Sequence, residues 1–283
     1  VTQVRAFVLT TLAMIAFAGN SLLGRAALRE TDIDAATFTA IRLMSGALVL
    51  WLLVNARRTS ASGQGSWLSA FALFIYAAAF SFAYLGLSTA TGALILFGAV
   101  QATMISYGLW QGDRLRLLQW LGFLLAFGGL VGLLLPGLTA PPVTSSALML
   151  TAGVAWGCYS LRAKGAGDPT RVTAGNFARS VPFTLLLSIL MLGNFSLDGA
   201  GAAYALASGA VTSALGYAVW YMVLPALKSA TAATVQLSVP VIAAIGGVLL
   251  LSEPLTLRLV LAGVAILGGI GLVIFEKRRA GAL

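Results

Sequence analysis

The chain has 283 residues, of which 59% are hydrophobic and 9% charged, with a formal net charge of +9 and a mean hydropathy of +0.97. An ordinary soluble domain carries about 25% charged residues, so water is not the main solvent of this chain. The basic excess does not point to nucleic acid, because a binding surface gathers its bases on one exposed face and here they are scattered between apolar runs.

A helix needs about 20 apolar residues to cross about 30 Å of hydrocarbon. Ten such runs follow one another, centred near Ile15, Leu48, Ala77, Val100, Leu125, Ala152, Leu186, Ala210, Ala243 and Leu267. They are punctuated by "RETDID", "NARRTSASGQG", "QGDRLR", "PGLTAPPVTSS", "RAKGAGDPTR", "GNFSLDGAG" and "SEPLTLR", with the faintest seam at "LSTAT". The first run is too long for the apolar region of a cleaved signal peptide. A charge at the bilayer centre costs about 2.5–3.5 kcal/mol on an insertion scale, and all eight acids (Glu30, Asp32, Asp34, Asp113, Asp168, Asp198, Glu253 and Glu276) lie between or beside the runs. The single Cys158 lies inside a run, which excludes an intrachain disulfide and predicts a small core residue.

Placing the N-terminus in the cytoplasm puts twelve bases inside, among them Arg5, Arg57, Arg58, Arg114, Arg116, Arg162, Lys164, Arg171 and Lys228, and only Arg25, Arg29 and Arg258 outside. The positive-inside bias therefore predicts a multi-pass protein of the bacterial inner membrane with both termini cytoplasmic.

Sliding the chain against itself by about 140 residues pairs "GDRLRLLQWLGFLLAFGGLVG" with "EPLTLRLVLAGVAILGGIGLV", and "AFAGNSLLGRAA" with "AWGCYSLRAKGA"; a shift of 137 sets Arg42 against Arg179. The fold expected is an all-α integral membrane protein of ten transmembrane helices, in two five-helix repeats, 1–138 and 139–283. Five is odd, so the second copy enters the membrane from the opposite side, the inverted-repeat plan of many transporters. Glu253 and Pro254 then sit in a short turn at the membrane surface, with Gly112 and Asp113 in the related turn on the opposite face.

The stretch "SATAATVQLSVPVIAAIGGVLLLSEPLTLRLVLAGVAILGG" resembles the repeat signature of EamA-type members of the drug/metabolite transporter superfamily, on Pro240, Glu253, Gly263 and Gly268. Within that superfamily the chain resembles the YddG-like aromatic amino-acid exporters. The first half departs from the pattern, lacking the proline near Val100 and the glutamate at Gly112. The resemblance implies a central cavity lined by spans one, three, four, six, eight and nine.

Tyrosine and tryptophan carry a polar hydrogen that needs a partner when buried, and several sit mid-span at helical spacing: Tyr76, Phe80 and Tyr84 in span three, Trp156 and Tyr159 in span six, and Tyr217, Trp220 and Tyr221 in span eight. Core packing or lipid contact is the competing account of each. Asn20 and Gln236 are candidates to bond a substrate's amino or carboxylate group, and Gln101 is a weaker one. Arg42 and Arg179 could recruit carboxylates near opposite faces, although an arginine near a span end more often holds loop carbonyls as an anchor. Pro240 is read as a hinge in span nine, and Gly92, Gly98, Gly246 and Gly247 as sites of close helix approach.

The chain has no histidine, no P-loop and no carboxylate inside a span, which predicts facilitated movement or exchange rather than proton coupling through a buried acid. No Ser/His, Cys/His or paired-carboxylate constellation supports an enzyme. The expected function is export of amino acids, aromatic or bulky neutral ones, by alternating access, the zwitterion being held by neutral polar groups. A broad-specificity metabolite or drug exporter is the alternative. No cofactor, metal or nucleic-acid partner is expected, and a monomer in contact with lipid is.

Overall fold

The computed structural model describes residues 3–56, 63–112, 116–135, 137, 140–163, 166–223, 227 and 235–280. The loop bases Arg57, Arg58, Arg114, Lys164 and Lys228 and the acid Asp113 lie outside the described residues. Among the described residues there is no strand, and ten helical rods follow in order. They are α1 (Gln3–Glu30), α2 (Ala35–Ala56), α3 (Trp67–Tyr84), α4 (Thr89–Trp110), α5 (Leu117–Leu134), α6 (Val143–Arg162), α7 (Pro169–Leu190), α8 (Gly199–Val223), α9 (Ser238–Leu251) and α10 (Leu257–Ala280).

Seven of the described helices, α1–α5, α8 and α10, are long and apolar enough to cross a membrane. Helices α6 and α7 fall outside that set for a physical reason: they carry hydroxyl and amide side chains turned inward, with Ser146, Thr173, Asn176, Ser180 and Thr184 all buried. Helix α9 is apolar but has only 14 residues, about 21 Å of rise.

The helix ends are fixed by the polar residues that punctuate the sequence. Asp34 accepts from the backbone N–H groups of Ala36 and Thr37 at 2.9 Å, capping α2, and its other oxygen accepts from Ser196 N, tying that end to the turn before α8. Asp168 caps α7 with Pro169 at its first position, and Asp198 caps α8. Ser66 and Ser88 cap α3 and α4. Each cap satisfies donors that hydrocarbon would leave bare.

Helix α1 packs along α8 and α9, while α6 packs along α3 and α4; α2 packs on α7 and α8, and α3 also on α7. Helix α5 lies along α10 at the edge of the bundle, with Leu121, Leu124, Leu125 and Phe127 exposed on its outer face. Trp51, Trp67, Trp110 and Trp120 are also exposed, and all four lie near the ends of α2, α3, α4 and α5 joined by the 57–66 and 111–116 connections, where an interfacial aromatic belt belongs. The other two tryptophans, Trp156 and Trp220, are inside.

One sequence expectation changes. Cys158 is exposed rather than a core residue, because α6 buries the flanking Gly157 and Tyr159 and turns position 158 outward. Pro240 occupies the first turn of α9, directly after the helical residues Val235 and Gln236 and a turn at Leu237, where its missing N–H breaks no bond of α9.

The α5–α10 crossing depends on two glycines placed backbone to backbone. A Cβ on Gly122 would lie 2.6 Å from the Gly269 carbonyl oxygen, and one on Gly269 would meet the Gly122 carbonyl and the Ala126 amide. Gly128, by contrast, faces open space. We expect Gly122→Val and Gly269→Val each to lower stability by about 1–3 kcal/mol. Gly128→Ala should leave it within about 0.5 kcal/mol of the parent. Unfolding of the detergent-solubilised protein, followed by circular dichroism, checks both.

Candidate functional site

A hydrogen-bonded cluster joins α1, α2, α3 and α8 inside the bundle. Tyr76, midway along α3 and 4% exposed, accepts at its hydroxyl from Arg42 Nη2 at 2.9 Å and from Asn20 Nδ2 at 3.2 Å. The Asn20 carbonyl in turn accepts from the hydroxyls of Ser208 at 2.7 Å and Thr212 at 3.3 Å. Arg42 Nε donates to Ser213 Oγ at 3.4 Å.

The three hydroxyls come from an irregular stretch of α8: residues Ala207–Leu215 form a π-helix. In an α-helix, side chains five apart diverge by about 140°. In the i→i+5 register they align, so Ser208 and Ser213 both face the cluster, one toward Asn20 and the other toward Arg42. Gly209 admits the neighbouring helix here, since a Cβ would collide with the Arg42 carbonyl and Ser45 Oγ.

Aromatic rings close the cluster on its apolar side. Trp156 lies 4.8 Å from Tyr76, 5.1 Å from Tyr217 and 5.3 Å from Tyr159, stacking on the last. Tyr76 leads through Phe80 at 5.7 Å to Tyr84 at 4.7 Å. Phe17 contacts Tyr217 edge-on at 5.7 Å and Trp220 at 6.0 Å, and Phe177 contacts Tyr217 at 6.1 Å. Trp156 is half-buried while its partners Tyr76, Tyr159 and Tyr217 are buried.

Of the residues singled out from the sequence, the structure thus brings together Asn20, Tyr76, Phe80, Tyr84, Trp156, Tyr159, Tyr217, Trp220 and Arg42. Gln101 is buried on α4 and Gln236 is half-buried beside the turn at Leu237, both outside this hydrogen-bonded set. Tyr221 is half-buried on α8, with Thr173 of α7 as its hydroxyl neighbour. Ser208, Thr212, Ser213, Phe17 and Phe177 were not marked by the sequence. Serine, threonine and phenylalanine are common in any membrane helix, and the π register that aligns the hydroxyls has no simple sequence sign.

The two repeat-related arginines diverge. Arg179, midway along α7, behaves as an anchor, donating to the carbonyl of Gln64 in the segment before α3 and to that of Gly175 on its own helix. Arg42 instead points into the cluster, is 1% exposed, and bonds side chains rather than loop carbonyls. The cluster therefore contains a guanidinium beside the neutral polar groups named from the sequence.

Glu253 also turns inward. The turn after α9 passes through Ser252 in the left-handed region (φ 50°), which folds the Glu253 side chain inward until it is 6% exposed. Its carboxylate meets Arg25 Nε at 3.2 Å and accepts from Thr89 N at 2.8 Å, capping α4, while Arg25 Nη1 donates to the Tyr84 carbonyl at 2.7 Å. Glu253 thus stays in the turn between α9 and α10, outside any span, as the sequence placed it; what the sequence did not show is its burial, which arises because that turn packs on Arg25 and on the start of α4.

With this geometry in view, the chain was compared with known proteins. A model of the EamA-like transporter family matches residues 144–275, the half that carries Pro240, Glu253, Gly263 and Gly268. An uncharacterised Pseudomonas aeruginosa protein, PA1977, is 58% identical over 274 residues, covering 96% of each chain. The chain belongs to the EamA-like transporter family. An uncharacterised transporter of Archaeoglobus fulgidus is 25% identical over 286 residues, covering 96% of this chain and 98% of its own. A solved crystal structure superposes with a TM-score of 0.70 over 99% of both chains at 19% identity, which supports the fold alone. Fold and family together make this EamA-like chain a multi-pass membrane protein of a transporter family.

The Arg25–Glu253 contact supplies a direct test. Breaking a buried pair from one side leaves a charge uncompensated, at a cost of about 3–5 kcal/mol. We expect Arg25→Met and Glu253→Gln each to destabilise the protein, and the double variant to be less destabilised than the sum by at least about 1 kcal/mol. Denaturation of all four proteins in one detergent measures the coupling.

Proposed function

We propose that this EamA-like protein exports amino acids, aromatic or bulky neutral ones, across the bacterial inner membrane by alternating access. The observation that carries the reading is the cluster of Tyr76, Trp156, Tyr159 and Tyr217 around the bonded groups of Asn20 and Arg42, deep among helices from both halves of the chain. Aromatic rings suit an aromatic side chain, and the polar groups suit the backbone end of an amino acid.

The arrangement of two inverted five-helix halves, 1–138 and 139–283 with both termini cytoplasmic, is part of the same proposal. It is supported by the packing pattern: exchanging each of α1–α5 with its counterpart five helices on turns the α1–α8 pair into α6–α3, α1–α9 into α6–α4, and α2–α8 into α7–α3. The pairs α2–α7, α4–α9 and α5–α10 map onto themselves. The second reading, a broad-specificity exporter of the same fold, draws on the same rings, because stacking contacts tolerate varied partners.

Uptake of radiolabelled phenylalanine and tryptophan into proteoliposomes decides between them. Trp156→Ala and Tyr217→Ala should each reduce amino-acid transport at least about tenfold, the loss expected on removing an aromatic contact of about 1.5 kcal/mol. Trp120→Ala, on the exposed face of α5, should leave it unchanged. Absence of any amino-acid flux in the parent, with dye or drug flux present, would favour the broader exporter.

A further inference from the structure

We infer that Arg42 is the receptor for a carboxylate, so the site takes an aryl carboxylate and rejects its uncharged or cationic analogues. This deepens the amino-acid reading above and rests on it for the aromatic part of the ligand only.

Four observations converge. Arg42 is among the largest fully buried side chains of the described residues, at 1% exposure. It lies seven residues into α2, about 10 Å from the helix start, and its hydrogen bonds go to side chains of α3 and α8 rather than to loop carbonyls. Its described partners are all neutral: Tyr76 Oη, Ser213 Oγ, and the faces of Tyr76 and Phe80, whose centroids are 5.1 and 4.7 Å from its Cζ. No carboxylate of a described residue pairs with it, whereas the other buried arginine of the core, Arg25, has Glu253. The fourth observation is the orphan: Arg42 Nη1 is buried and has no hydrogen-bond partner among the described residues.

A permanently charged group with a spare donor is expensive in a low-dielectric interior, and such residues inside membrane proteins mark the path of a charged substrate. Purely structural needs would be met more cheaply by a neutral donor, as Asn20 meets them on the other side of Tyr76. The Tyr76 hydroxyl, accepting from both Arg42 and Asn20, keeps its own hydrogen available as a second donor beside Nη1. A planar carboxylate presents two acceptor oxygens to such a pair. The rings of Tyr76 and Trp156, 4.8 Å apart, then set the apolar end of the ligand next to its charged end.

The experiment measures binding to the purified full-length protein in detergent, by calorimetry, with four probes of one shape: phenylalanine, phenylalaninamide, phenethylamine and 3-phenylpropionate. The inference expects phenylalanine and 3-phenylpropionate to bind, and the amide and the amine to bind at least about tenfold more weakly. It expects Arg42→Gln to abolish that preference and Arg42→Lys to retain part of it. A structural arginine would lower stability in both variants and leave the carboxylate-to-amide ratio unchanged, which would overturn the inference. Equal binding of phenylalanine and phenylalaninamide by the parent protein overturns it without any variant, should Arg42→Gln fail to fold. If 3-phenylpropionate binds in an Arg42-dependent way while phenylalanine does not, the carboxylate receptor stands and the amino-acid reading falls. Binding of none of the four removes both.

Discussion

A guanidinium that cannot shed its proton, held inside an apolar bundle, sets the terms for everything around it. Arg42 is stabilised by one tyrosine oxygen, one serine hydroxyl and two ring faces, each a weaker partner than the carboxylate that a soluble protein would supply. In hydrocarbon every such partner must come from protein, so the arginine on α2 recruits groups from α3 and α8 at once. The inward turn of Ser208, Thr212 and Ser213, the bridging role of Asn20 and the close approach of Gly209 are all consequences of satisfying polar atoms where no water is at hand.

The π-helical stretch of α8 is the local device that makes this possible. An α-helical register would present Ser208 or Ser213 to the cluster, but not both. The wider winding, over Ala207–Leu215, costs hydrogen-bond quality in the helix. That cost is offset by two side-chain bonds, to Asn20 and to Arg42, in a medium where unmet donors are expensive.

How much of this the sequence disclosed follows from which forces are local. Hydropathy reports burial in lipid, and all ten apolar runs fall in the ten helical rods; Asp34, Asp168 and Asp198, which the sequence set between runs, cap helix starts because an unpaired N–H needs an acceptor within a few residues. The spacing of Tyr76, Phe80 and Tyr84 marked one face of α3, and all three are buried together. What escaped depends on partners far along the chain. Arg42 meets Ser213 across 171 positions, and Glu253 meets Arg25 across 228. Nothing within a turn of Arg42 distinguishes it from Arg179, so its inward direction and the anchoring of its counterpart could be separated only once α3 and α8 were in place.

The Arg25–Glu253 junction lies on the same structural members as the cluster. Arg25 is five residues beyond Asn20 on α1, about 7.5 Å of rise, and Tyr84 is eight beyond Tyr76 on α3, about 12 Å. A helix is stiff over such lengths, so α1 cannot leave Glu253 and the α3–α4 turn without carrying Asn20 away from Tyr76. The Phe80–Tyr84 contact, 4.7 Å between centroids, fills the space between the two levels, and a Cβ on Gly24 would reach the Phe80 ring at 2.9 Å, so α1 is packed tightly against that stack. The junction and the cluster are therefore two levels of one contact surface between α1 and α3.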